Sequence, residues 1–230
     1  MFGTILGWTR KAVNPVAMPR LPILLPHLPS GLALFTGHES VLPLGQLLCL
    51  EYLGRGDPVV LVDGANAFNP YLLADAARAQ GLDLRRVLDA VHLSRVYTCH
   101  QLEALWSERL RPAIASFRPG AILCLGLLDP LYDEDVPVAE AARIFRRLAV
   151  AIREVSAHLP ILAACPDPAV PDRSAGDLRW MFGERLRAMA GWHFAARPEN
   201  GRVWISRERP DPARWEWTLT LPGRTFRRPT

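Results

Sequence analysis

Five short apolar runs recur along the chain, and a helix-length stretch follows each of the first four. They are Leu32–Thr36, Val59–Asp63, Val91–Val96, Ala121–Leu125 and Ile161–Ala164. Most are apolar without alternation, which suits strands covered on both faces rather than on one. Leu44 to Leu53 is apolar and long enough for a helix. Asn69-Pro70 opens another with an N-cap and a first-turn proline, and Gly81 closes it after Gln80. Cys99 to Phe117 reads as a helix. From Val138 to Val155, apolar residues recur at three- and four-residue steps while Arg143, Arg146, Arg147 and Arg153 fill the other face. Strands alternating with helices in this way predict an α/β fold. Its sheet is mostly parallel, with helices on both faces.

The two ends of the chain differ from this pattern. Residues 1–30 hold Pro15, Pro19, Pro22, Pro26 and Pro29, which favour an extended arm over a helix. Residues 31–230 are expected to form one core domain. Its last part, about 197–222, is a β extension in which Arg202–Ser206 and Trp215–Leu221 alternate with period two, as an antiparallel hairpin would.

Composition excludes several classes. Half of the residues are hydrophobic and 22% are charged, a globular balance. No stretch of about 18 apolar residues is present to cross a membrane. The start lacks the pattern of a secretory signal, so the expected location is the cytoplasm. Cys49, Cys99, Cys124 and Cys165 are widely spaced and read as buried free thiols, with no metal site implied. Of the 27 basic residues only Lys11 is a lysine. Charge is also uneven. Residues 1–172 carry 15 basic and 17 acidic groups, whereas residues 173–230 carry 12 and 6, together with five of the seven tryptophans. A basic, aromatic-rich segment is suited to phosphate contact and base stacking, and equally to a solvated face over a tryptophan-filled sheet.

Ligands of α/β sheets usually sit at the carboxyl ends of strands. There Leu61-Val-Asp63-Gly-Ala-Asn-Ala-Phe68-Asn-Pro70 resembles the second-strand signature of RecA/RadA-type recombinases. The stretches Leu72 to Leu84 and Val87 to Leu102, the latter with Thr98, His100 and Gln101, are similar to the region that follows in that family. The resemblance runs with gaps from about Gly31 to Ala196 and implies a RecA-like sheet.

The family's ATPase groups are not carried over. Its phosphate loop has the form G-x-x-x-x-G-K-[ST]. Here the matching stretch is Gly37-His-Glu-Ser-Val-Leu42-Pro43-Leu44, so Leu42, Pro43 and Leu44 stand where glycine, lysine and a hydroxyl are needed. Ala65 takes the place of the glutamate that orients water. Gly126 takes that of the aspartate that ends the fourth strand and contacts the Mg²⁺ shell. Phosphoryl transfer is mostly positioning and charge neutralisation. The expectation is therefore a pseudo-ATPase with no catalytic residues, no cofactor and no metal.

By the same resemblance, the loop after the fifth strand is where recombinases contact single-stranded DNA. That makes Arg173, Arg179, Trp180, Arg185 and Arg187 the candidate DNA-binding residues. The expected partners are single-stranded DNA, a RecA-type recombinase or a like subunit, or a second copy of the chain. The expected role is an accessory in DNA repair or recombination. Two alternatives stay open. One is an accessory of translesion synthesis similar to the ImuA group. The other is an ATPase using His38, Glu39 or Asp129 in unorthodox roles. The acidic stretch Asp129, Asp133, Glu134 and Asp135 reads first as a solvated loop.

Overall fold

The computed structural model describes residues 30–167, 179–199 and 202–217. The Pro-rich arm and the tail beyond Trp217 lie outside them. In chain order the elements are β1 (Gly31–Gly37), α1 (Val41–Leu48), α2 (Leu50–Leu53), β2 (Val59–Asp63), α3 (Pro70–Ala79), α4 (Leu84–Asp89), β3 (Val91–Arg95) and α5 (Cys99–Ala104). A π turn (Leu105–Arg109) then leads into α6 (Leu110–Phe117) and β4 (Ala121–Leu125). A 3₁₀ turn (Asp129–Leu131), α7 (Val138–Ser156), β5 (Pro160–Pro166), α8 (Trp180–Met189), β6 (Trp192–Glu199), β7 (Arg202–Arg209) and β8 (Ala213–Trp217) complete the series.

The strands form one sheet in the order β3-β2-β4-β5-β1-β6-β7-β8. Pairs from β3 across to β6 are parallel, while β6–β7 and β7–β8 are antiparallel. This is the α/β architecture that the apolar runs predict, with the antiparallel hairpin at the carboxyl end. The hairpin reaches the parallel sheet through β6, a strand that the sequence pattern did not announce.

Side-chain alternation along the strands makes two separate cores. Ala33, Phe35, Val59, Leu61, Leu123, Leu125, Leu162 and Ala164 face one way, against α1 to α4. Leu32, Leu34, Val60, Val62, Ile122, Cys124, Ile161 and Ala163 face the other, against α5 to α8. Each residue of β2 and β4 is buried, because helices cover both faces there. Burying this much apolar surface is the main force that holds the sheet between its helices.

Local signals hold at the starts of α3, α4 and α5. The Asn69 side chain accepts hydrogen bonds from the Tyr71 and Leu72 N–H groups, with Pro70 as the first helical residue. α4, unforeseen from periodicity, is capped by Asp83, which accepts from the Arg85 and Arg86 N–H groups. The helix expected over residues 44–53 begins earlier, at Val41, and is split at Cys49. The helix expected over 99–117 contains the π turn. Among the described residues no helix is long and apolar enough to cross a membrane.

Candidate functional site

The carboxyl ends of β1, β2 and β4 share one edge of the sheet, and all three positions singled out in the sequence fall there. At the end of β1, Gly37 has φ +99°, and a Cβ on it would lie 2.2 Å from the Ala196 carbonyl oxygen on β6. Only glycine fits that approach. The chain then turns tightly into α1. The His38 N–H donates to the Ala196 carbonyl (2.9 Å), the Val41 N–H to that of His38 (3.1 Å) and the Leu42 N–H to that of Glu39 (3.1 Å). The Ser40 N–H donates to His38 Nδ1 (3.2 Å), and the Leu44 N–H to the Ser40 carbonyl (3.1 Å).

A phosphate cradle needs a run of amides pointing at one anion. Here the amides of residues 38, 40, 41, 42 and 44 donate to protein acceptors, and Pro43 has none. Leu44 is fully buried, Leu42 and Pro43 partly so. The stretch from Gly37 to Leu44 is thus a turn and the first turn of a helix. The Ser40 hydroxyl is buried there with no hydrogen-bond partner among the described residues.

β2 and β4 are neighbours, with Asp63 in register with Leu125. The Gly64 and Ala65 N–H groups both donate to the Leu125 carbonyl, at 2.8 and 3.1 Å. Gly126 has φ +61°, and a Cβ on it would stand 2.4 Å from Ala65 Cβ and 2.8 Å from Ala65 N. Positions 65 and 126 therefore pack on one another, and a side chain at 126 has no room.

Asp63 itself is buried and structural. Its Oδ1 accepts from the Ala67 N–H (2.9 Å), its Oδ2 from the Phe68 N–H (3.0 Å), and Arg95 Nε stands 3.4 Å from Oδ2. Gln46 of α1 clamps the same loop. Its Nε2 donates to the Ala67 carbonyl (3.1 Å) and its Oε1 accepts from the Asn69 N–H (2.8 Å). Sequence reasoning missed Gln46, whose only signal was a lone amide inside an apolar helix. Asp129 sits beside this loop on the 3₁₀ turn. Burial, with the Asp63 charge second, raises its carboxyl above the usual range.

The four candidate DNA-binding residues that are described differ in their surroundings. Arg173 lies outside the described residues. Arg179 is only 7% exposed. Its Nε donates to the Leu131 carbonyl (3.2 Å), and its Nη2 to those of Asp133 (2.9 Å) and Val136. It holds the acidic loop from inside, at a position that the sequence singled out as a candidate DNA contact. A partner some 46 residues away in the chain left no local trace. Trp180 is partly buried at the start of α8. Arg187 is taken up by Asp167 (2.7 Å) and Glu184 (2.9 Å). Arg185 is exposed, and it lines a different groove from Arg187.

Arg187 borders a cleft of about 500 Å³ at the carboxyl ends of β1 and β6. Thr36 Oγ1 and His193 Nε2 are 3.0 Å apart within it. Burial, with Arg187 second, pushes the His193 imidazole below its ordinary value and favours the neutral ring. The remaining charges are largely compensated, Arg197 by Glu208 at 3.5 Å and Arg187 by Asp167.

Other candidates have structural partners. Asp133, Glu134 and Asp135 are exposed, and among the described residues no group of three His, Cys, Asp or Glu is placed to hold a metal ion. His100 Nε2 lies 3.8 Å from Glu140. Gln101 Oε1 accepts from the Tyr97 N–H (2.8 Å), and the Gln101 N–H donates to Thr98 Oγ1 (3.2 Å), which is a reciprocal helix cap. The four cysteines are free and buried, and burial pushes the Cys165 thiol up to about 12. No known family profile matches the chain, and a search of curated proteins finds no match.

Proposed function

We propose that this chain is a non-catalytic relative of RecA/RadA-type recombinases that acts as a binding subunit in DNA repair or homologous recombination. The observation that carries this reading is the turn from His38 to Leu44, in which the amides of His38, Ser40, Val41, Leu42 and Leu44 donate to protein acceptors. Support also comes from the mutual packing of Gly126 and Ala65 on the neighbouring strand ends. Among the described residues a triphosphate at this edge would meet no lysine and no carboxylate at position 65 or 126. Each missing part is worth several kcal/mol of transition-state stabilisation.

The partner half of the reading rests on the open edge of β3. Its outer side pairs with no strand among the described residues. Leu93 on it is 41% exposed, and Tyr97 just after it is 62% exposed. Leu88 in the preceding helix and Phe117, stacked on His92 at 3.7 Å, are exposed as well. An open edge with apolar side chains is a template for an added strand, from a recombinase or from a second copy of the chain. Contact with single-stranded DNA is proposed through Arg173 and Trp180.

Melting of the purified chain with and without magnesium-ATP tests the nucleotide half. No shift is expected at millimolar ATP, and a rise of several degrees overturns it. Pull-down from a lysate tests the partner half. A recombinase lost on Leu93→Lys is expected, whereas recovery of a translesion polymerase instead points to the ImuA-like role.

A further inference from the structure

The arginines of α7 fall into two sets. Arg143 and Arg147 reach Glu103 at 3.1 and 2.8 Å, and Arg143 also approaches Glu140. Arg146 and Arg153 lie on another stripe, two helical turns apart, with Val150 between them at 54% exposure. Across from this stripe α8 presents Arg185, Ala188 and Met189. The two helices enclose a groove of about 660 Å³ floored by Phe145, Ala149 and Val150. No carboxylate lines it, and among the described residues Arg146, Arg153 and Arg185 make no ion pair. Three guanidiniums thus border one apolar groove uncompensated, while the same helix pairs its other arginines. Like charges held together cost free energy unless a partner supplies the opposite sign.

We propose that the groove between α7 and α8 docks an acidic amphipathic segment of a partner protein. The partner's apolar side chains rest on Val150, Ala149 and Met189, and its carboxylates meet Arg146, Arg153 and Arg185. Arg146 and Arg153 are about 10 Å apart along the axis, so carboxylates two turns apart on a helical partner match them. The floor disfavours nucleic acid. Its one ring, Phe145, is buried and stacked on Phe182 at 4.9 Å, and no aromatic face is offered to a base. The ends of the chain itself are unsuited, because residues 1–29 and 218–230 carry six basic groups and no acidic one. The proposal does not depend on the recombinase resemblance.

The test is fluorescence anisotropy on the full chain with a labelled helical peptide of about 16 residues, leucines on one stripe and glutamates beside them. A shuffled peptide of the same composition and an oligo-dT of about 20 nucleotides are the controls. The amphipathic peptide is expected to bind about tenfold or more tightly than the shuffled one, and Arg146→Glu with Arg153→Glu to weaken it about tenfold. Val150→Asp is expected to weaken it severalfold. All three positions are exposed, so unchanged melting accompanies these losses. Equal binding of both peptides overturns the proposal. So does indifference to Val150→Asp, or oligo-dT binding with the same arginine dependence while the peptide fails. Asp172→Ser with Asp177→Ser is expected to leave peptide affinity unchanged. A severalfold gain would place the chain's own segment in the groove and overturn the proposal as well.

Discussion

Gly126 offers a quantitative test of how tightly the ends of β2 and β4 pack. Gly126→Asp places a Cβ 2.4 Å from Ala65 Cβ, 2.8 Å from Ala65 N and 2.7 Å from Asp129 Oδ2, on a backbone with φ +61°. The left-handed conformation costs a side-chain-bearing residue about 1–2 kcal/mol relative to glycine. Carbon atoms pack well at about 3.5–4.0 Å, so Ala65 must retreat by more than about 1 Å. Its N–H is tied to the Leu125 carbonyl, which resists that retreat. Overpacking of this kind costs about 1–3 kcal/mol. The sum is about 2–5 kcal/mol before the new carboxylate meets the buried Asp129.

Urea unfolding of Gly126→Ala and Gly126→Asp measures the loss, with Gly126→Asp expected to be the less stable. For a domain of this size 1 kcal/mol corresponds to about 2–4 °C, so melting falls by about 4–20 °C. Gly126→Ala with Ala65→Gly removes the Cβ–Cβ overlap and leaves the backbone terms. It is expected to recover part of the loss, with a coupling of about 1 kcal/mol or more. If Gly126→Asp unfolds within about 0.5 kcal/mol of the parent, the steric account of Gly126 is wrong.

Three further outcomes follow from the same region. Asp63→Ala orphans the partly buried Ala67 and Phe68 N–H groups. It should cost about 2–5 kcal/mol and speed hydrogen exchange at those two amides first; unchanged exchange there would disprove the clamp. Asp129 has a raised carboxyl, so the native state holds its proton more tightly than the unfolded chain. Its stabilising contribution is present below the unfolded carboxylate value, about 3.9, and is lost as pH climbs through the raised native one. Asp129→Asn should therefore melt higher than the parent at neutral pH and equal to it below about pH 4, and a gain independent of pH would refute this assignment. Arg179→Ala strips donors from the carbonyls of the acidic loop and should cost about 2–4 kcal/mol while leaving oligonucleotide binding unchanged. Arg185→Ala should leave stability within about 0.5 kcal/mol, and the reverse order of effects would return Arg179 to the surface.

Much of the architecture was legible because it follows from patterns only a few residues wide. Apolar runs with no alternation mark strands covered on both faces, and β2 and β4 are buried from end to end. Asn69-Pro70 marks the start of α3 through bonds that close within three residues. The period of Val138 to Ser156 likewise set the apolar face of α7 before any neighbour was known. Which residues stand at positions 43, 65 and 126 is likewise read from the sequence without coordinates.

What tertiary structure alone decided is which groups meet. Gly126 and Ala65 lie 61 positions apart, yet a Cβ at 126 would overlap that of Ala65. Arg179, a candidate DNA contact by sequence, is held inside by three carbonyls far away in the chain. Gln46 and Asp63 hold one loop from two different elements. The uncompensated arginines of the α7–α8 groove differ from their paired neighbours only by the side of the helix on which a glutamate happens to stand. Local pattern records the preference of each short segment for its own backbone. Contacts between segments depend on strand order and helix placement, and these come from the packing of the whole apolar surface at once.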